Sequence, residues 1–126
     1  INRNYSTLEC DSTFVKVSTS TAYGADYHCE GKIDRVIVGG DGQVSIISAE
    51  LYGSSDDTSG RSLCNLETAW NGIGTKTCSA WLSSVLTWIA RSSTVRVAYQ
   101  GSAVSSCAAQ GTWTGAEAPS SLWNVN

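Results

Sequence analysis

The chain carries one histidine, His28, and one proline, Pro119, and only 15% of its 126 residues are charged. One imidazole cannot complete a histidine-rich metal site. No C-x-x-C spacing occurs among Cys10, Cys29, Cys64, Cys78 and Cys107, so zinc and thioredoxin-like redox chemistry are poor accounts of five cysteines. No G-x-S-x-G elbow accompanies His28, which leaves a serine hydrolase without a base–nucleophile pair. Asp56-Asp57 is not followed by a D-x-D-x-D-G pattern and reads as an exposed acidic loop rather than a calcium site. No stretch offers ~18 consecutive apolar residues, so no helical membrane span is expected. The formal net charge is −3, from 8 basic and 11 acidic residues, and the basic ones are scattered singly. Nucleic-acid binding normally needs a basic patch or stripe, so that class is disfavoured. No repeat and no linker divides the chain, which reads as one domain over 1–126 with no catalytic constellation, metal or cofactor.

What is present begins with the cysteines. Thiols this frequent are best explained as structural disulfides, which form in an oxidising compartment. The odd number leaves one thiol free or paired with another chain. Ile1 in place of Met suits a processed product, and Asn4-Tyr5-Ser6 fits a glycosylation sequon. A secreted protein is the expectation.

Abundant β-branched residues and glycine-rich breaks favour a mostly β fold. Residues 13–18 (TFVKVS) alternate as a strand within an N-terminal extension over 1–24. Residues 31–38 (GKIDRVIV) read as a second strand, and Gly39-Gly40-Asp41-Gly42 as the turn to Val44–Ile47, making a hairpin over 31–48. Residues 53–62 hold no apolar side chain and read as a solvated loop. One helix is predicted at about 78–91, capped by Thr75 or Thr77. Cys78, Leu82, Val85 and Ile89 recur on its apolar face, which Trp81 and Trp88 widen, and Arg91 lies in its last turn. Val95–Tyr99 alternates into a further strand, and a short terminal strand closes the order. A small antiparallel barrel of OB-fold type, with one helix and its core over 25–126, fits that sequence of elements.

Ten of the eleven aromatic residues are Trp or Tyr, whose amphipathic rings recur in binding surfaces. Trp81 and Trp88 read as packing residues, while Trp70, Trp113 and Trp123 are ambiguous. Asp26 and Glu30 are near in sequence and could serve as paired carboxylates of a small hydrolase, although their setting better suits solvated charges.

The stretch from Tyr27 to Cys107 carries a further pattern: YHCEGKIDRVIVGGDGQVSI, a cysteine-bounded loop, CSAWLSSVLTWIARSSTVRVAY, and then SSC. It resembles the B subunits of the subtilase-cytotoxin and typhoid-toxin (AB5) group and related small secreted bacterial proteins. The shared elements are a G-x-I/V strand, here Gly31-Lys32-Ile33, and a V-R-I-x-Y strand, here Val95–Tyr99. The resemblance implies a non-enzymatic OB-fold subunit assembling as a homo-oligomer, a pentameric ring, that binds cell-surface glycans and can accompany a catalytic A subunit. Carried over by position, the implied glycan-binding residues are Asp26, Tyr99 and, at a position where the group has serine, Glu30. That glutamate would repel a sialic-acid carboxylate, so a neutral, cationic or hydroxyl-rich ligand is expected.

Within this frame a Cys64–Cys78 bridge would tie the loop over 65–77 to the helix start. Cys29–Cys107 is the preferred second pair because both border strands of the shared region. Cys10 is then free or intermolecular. The competing expectation is a structural subunit of an extracellular assembly or filament, using the N-terminal segment for contacts between subunits.

Overall fold

A computed structural model describes residues 24–125. The strand predicted over 13–18, the sequon at Asn4 and the thiol of Cys10 lie outside them. The single strand expected over 31–38 is two, β1 (Ala25–Lys32) and β2 (Arg35–Val38). Between them Asp34 turns the chain: its N–H donates to the Ile47 carbonyl and its Oδ2 accepts the Ala49 N–H, both at 2.9 Å. The glycine-rich turn then leads into β3 (Gln43–Ile47), with Gly39 N–H donating to Gln43 O at 2.8 Å. The hairpin is therefore present, over 35–47.

A short helix α1 (Ala49–Tyr52) follows, its first turn capped by the Ser48 hydroxyl. Gly31 is required where α1 crosses β1, because a Cβ there would lie 2.4 Å from the Glu50 Cβ. The loop expected over 53–62 ends early. Strand β4 (Arg61–Asn65) begins at Arg61, and Ser59 through Ser62 are buried. Polar side chains made this stretch read as solvated. They are buried because each finds a partner: Ser62 Oγ meets Ser45 Oγ at 2.9 Å, and Arg61 donates to the Gln110 and Ser59 carbonyls.

The main helix α2 (Thr75–Arg91) starts one turn before the predicted Cys78. Gly74 occupies the cap without a side-chain bond, so Thr75 and Thr77 lie inside the helix rather than capping it. Cys78 and Val85 are buried, and Trp81, Leu82, Trp88 and Ile89 pack around the core as the periodicity requires. Ser92, at φ 53°, ends the helix in the left-handed region, with its N–H on the Ile89 carbonyl. Strand β5 (Thr94–Ser102) and the terminal β6 (Ser121–Asn124) complete the order.

Among the described residues the architecture is mostly β: two antiparallel three-stranded sheets, ordered β1-β5-β6 and β2-β3-β4, with one main helix. The segment 25–38 thus contributes to both sheets, its first part pairing with β5 and its second with β3. Among the described residues the sheets do not close into a barrel, and Arg61 and Trp113 form only an isolated parallel bridge. Among the described residues no helix is long and apolar enough to cross a membrane. The core comprises Cys29, Val44, Ile46, Leu63, Val95 and Val97 with the inner face of α2.

Two disulfides, Cys29–Cys107 and Cys64–Cys78, cross-link the fold in the pairs preferred from the sequence. They span 78 and 14 residues. In the loop-entropy account, replacing Cys29 and Cys107 together by alanine should cost about 4.5 kcal/mol, against about 3 kcal/mol for the Cys64 and Cys78 pair. Urea unfolding of the two double variants checks both values and their order.

Candidate ligand-binding site

Alternation along β1 sends Asp26, His28, Glu30 and Lys32 to the outer face of the first sheet and Tyr27, Cys29 and Gly31 inward. On β5 the residues at 95, 97 and 99 point inward as well. The three positions carried over as a glycan pocket therefore separate. Glu30 is exposed and pairs with Arg96 at 2.7 Å, and Asp26 Oδ1 accepts the Gly101 N–H at 2.9 Å. Tyr99 is 1% exposed and faces the core. It cannot contact an external sugar alongside Asp26, and this corrects the expectation for Tyr99. The physical reason is strand parity: Tyr99 shares the face of Val95 and Val97.

The interior around Tyr99 is a polar network that orders the fold. Its hydroxyl shares a 2.8 Å hydrogen bond with Tyr52, and its ring meets Tyr27 edge-on with centroids 5.7 Å apart. Arg61, buried without a carboxylate partner among the described residues, lies 5.0 Å above the Tyr52 ring. That aromatic face and two carbonyls take the place of water around the cation. Further out, Gln110 Nε2 donates to the Tyr27 hydroxyl at 3.0 Å and to Glu117 Oε1 at 2.9 Å. Burial alone would raise the Glu117 pKa. Hydrogen bonds from Gln110, Ser102 and the Ala103 N–H outweigh it and bring the carboxyl below its ordinary value.

A concave feature with polar lining lies elsewhere, on the second sheet. Ile37, Ser45 and Ser62 stand in register across β2, β3 and β4, and with Gln43 they floor a groove of about 230 Å³. Gly39 and Asp41 of the hairpin turn form one rim. The opposite wall is Trp113 with Thr114, from the irregular segment over 103–120. Trp113 is placed by backbone bonds: its N–H donates to the Gly60 carbonyl at 2.6 Å, and its carbonyl accepts the Ser62 N–H at 3.1 Å. Its ring lies on Gly60, where a Cβ would stand 2.4 Å from a ring carbon. Trp113 itself has φ 53°. A bulky residue in the left-handed region costs on the order of 1–2 kcal/mol, and such strain concentrates at functional sites.

The groove therefore offers an aromatic side chain, an aliphatic side chain, the Asp41 carboxylate and the Thr114 hydroxyl, over a floor of buried serines that bond to each other. It is smaller than the ~300–1,000 Å³ of drug-sized pockets and suits one small polar ring. Trp113 was ambiguous in the sequence, because the irregular segment that carries it has no period to reveal its role. Among the described residues no cluster of three or more His, Cys, Asp or Glu could hold a metal ion. No family model matches the chain, and no curated protein or solved structure matches it either.

The buried tyrosine pair gives a pH test. Burial pushes the Tyr99 pKa from 10.0 to about 12, and burial also raises Tyr52 well above 10.0. The folded state holds these protons more tightly than the unfolded one, so the contribution is complete below pH 10 and is lost as pH rises toward 12. Stability should fall by about 3 kcal/mol from Tyr99 over that interval. Denaturant titrations across it check the loss, and Tyr99→Phe should remove its share while leaving that of Tyr52.

Proposed function

We propose that the chain is a secreted, non-enzymatic glycan-binding subunit whose sugar site is the groove between the second sheet and Trp113. The observation that carries this reading is the composition of the groove: a tryptophan beside the Asp41 carboxylate and the Thr114 hydroxyl. A pyranose ring has an apolar C–H face and an equator of hydroxyls, and it needs both at once. The two disulfides support an oxidising, extracellular setting.

The strand order supports an OB-type subunit. If segment 25–38 is taken as one long, bent strand shared by both halves, β3 and β4 follow it, then α2, then β5 and β6. In OB-folds oligosaccharides and oligonucleotides lie on the second and third strands between the first hairpin loop and the loop before the last strand. Here those positions are β3, β4, the turn at 39–42 and the segment carrying Trp113. Between the two ligand classes, a net charge of −3 and Asp41 on the rim favour sugar over a phosphate backbone.

This reading keeps the function implied by the AB5-like pattern and moves its site from the positions of Asp26, Glu30 and Tyr99 to Trp113. It also keeps assembly as a pentameric ring that can carry an A subunit. The exposed Trp123 of β6 and Val125 just after it give such a ring an apolar contact surface.

A glycan array probed with the disulfide-bonded protein should show binding, and Trp113→Ala should weaken it about tenfold or more with the circular dichroism of the fold retained. Absence of binding to every glycan would contradict the reading. Native mass spectrometry should show pentamers, and a monomer at micromolar concentration would remove the ring from the account.

A further inference from the structure

The charges at the groove mouth are of one sign. Asp41 stands exposed on its rim, and Glu67 lies against the same turn, its Cγ 2.9 Å from where a Cβ on Gly42 would stand. Neither carboxylate has an ionic partner among the described residues, where the ion pairs are Arg35–Asp57 and Arg96–Glu30. No lysine or arginine lines the groove. Arg35 shares the strand face of Ile37, but its guanidinium is held by Asp57 at 2.6 Å and by the Ser55 carbonyl at 2.7 Å. Lys32 and Arg96 belong to the outer face of the first sheet, and Lys76 and Arg91 to the first and last turns of α2. Arg61, next to Ser62, points to the other side of β4. A ligand in the groove therefore meets Asp41 at contact and Arg61 only through the sheet.

Asp41 is also fixed in place. Its Oδ1 accepts the Gln43 N–H at 3.1 Å, and Gly39 leaves room for it, since a Cβ there would stand 2.7 Å from that oxygen. Trp113 forms the opposite wall, with its ring set on Gly60. An aromatic wall favours a cation over an anion, and a carboxylate does so more strongly. Groups held on both sides of a small groove thus act in the same sense on the charge of whatever enters it.

We infer that the groove selects a sugar bearing a protonated amine, an amino sugar without its acetyl group, with the ammonium against the Asp41 carboxylate and the ring beside Trp113. This rests on the glycan reading above and adds the ligand's charge. Sialylated and other acidic sugars are disfavoured by the same carboxylates, and N-acetylation removes the charge for which the site selects.

Calorimetric titration of the native chain with glucosamine oligomers, and with N-acetylglucosamine oligomers of the same length and linkage, tests the inference at low salt and at about 0.15 M salt. Asp41→Asn removes the charge and keeps an acceptor for the Gln43 N–H. Glu50→Gln removes one charge as well, but at the other end of the hairpin, where Glu50 accepts the Lys32 N–H. It controls for the negative charge of the chain as a whole.

The native chain and Glu50→Gln should bind the amine form about fivefold more tightly than the acetylated form at low salt, and the preference should shrink as salt rises. Asp41→Asn should bind both forms alike. Equal native affinity for the two forms, native preference for acetylated or acidic sugars, a preference that survives in Asp41→Asn, or one that is lost in Glu50→Gln overturns the inference while glycan binding stands. If either variant fails to fold, the salt response decides, and a native preference indifferent to salt overturns the inference. Binding by the native chain to no sugar at all overturns both readings.

Discussion

The bond between Cys29 and Cys107 is the constraint on which the functional part of the structure depends. The segment over 103–120 has no regular secondary structure, and a chain of that kind is costly to order in one conformation. The disulfide fixes its beginning to β1. Gln110 then binds Tyr27 on the first sheet and Glu117 within the segment itself, while its carbonyl accepts from Arg61 on the second sheet. Only after these anchors does the chain reach Trp113, whose peptide groups pair with Gly60 and Ser62. Released from the disulfide, the segment would hold its left-handed Trp113 by hydrogen bonds alone.

The buried polar network and the groove meet at β4. Arg61 points into the interior, toward the Tyr52 ring, and Ser62 next to it points into the groove. A desolvated guanidinium between two carbonyls and an aromatic face is a high-stakes arrangement, favourable only while every partner stays in place. It fixes where β4 lies relative to the segment over 103–120, and so fixes the width of the groove. Stability and site geometry therefore share the same residues.

Much of this was legible in the sequence, for physical reasons that can be named. Gly39-Gly40-Asp41-Gly42 marks the hairpin because its residues tolerate tight turns, and Leu82, Val85 and Ile89 mark α2 by period. The start of α2 was misplaced because Gly74 caps it without the side-chain signal that threonine appeared to offer. Strand β4 was hidden because Arg61, Ser62 and Asn65 are polar yet buried, each satisfied by partners distant in sequence. The inward orientation of Tyr99 was readable, since it shares parity with Val95 and Val97, and that alternation should have outweighed a position carried over from a resemblance. Trp113 could not be read, because no local pattern records a contact made through backbone bonds to Gly60.

The account turns on the groove, and a two-dimensional NMR titration with methyl glycosides of neutral sugars tests it most directly. It expects the indole N–H of Trp113 and the backbone N–H of Asp41 to shift together and saturably, with Asp26, Glu30 and Trp123 unmoved. Shifts confined to the outer face of the first sheet, or none at all, would contradict it.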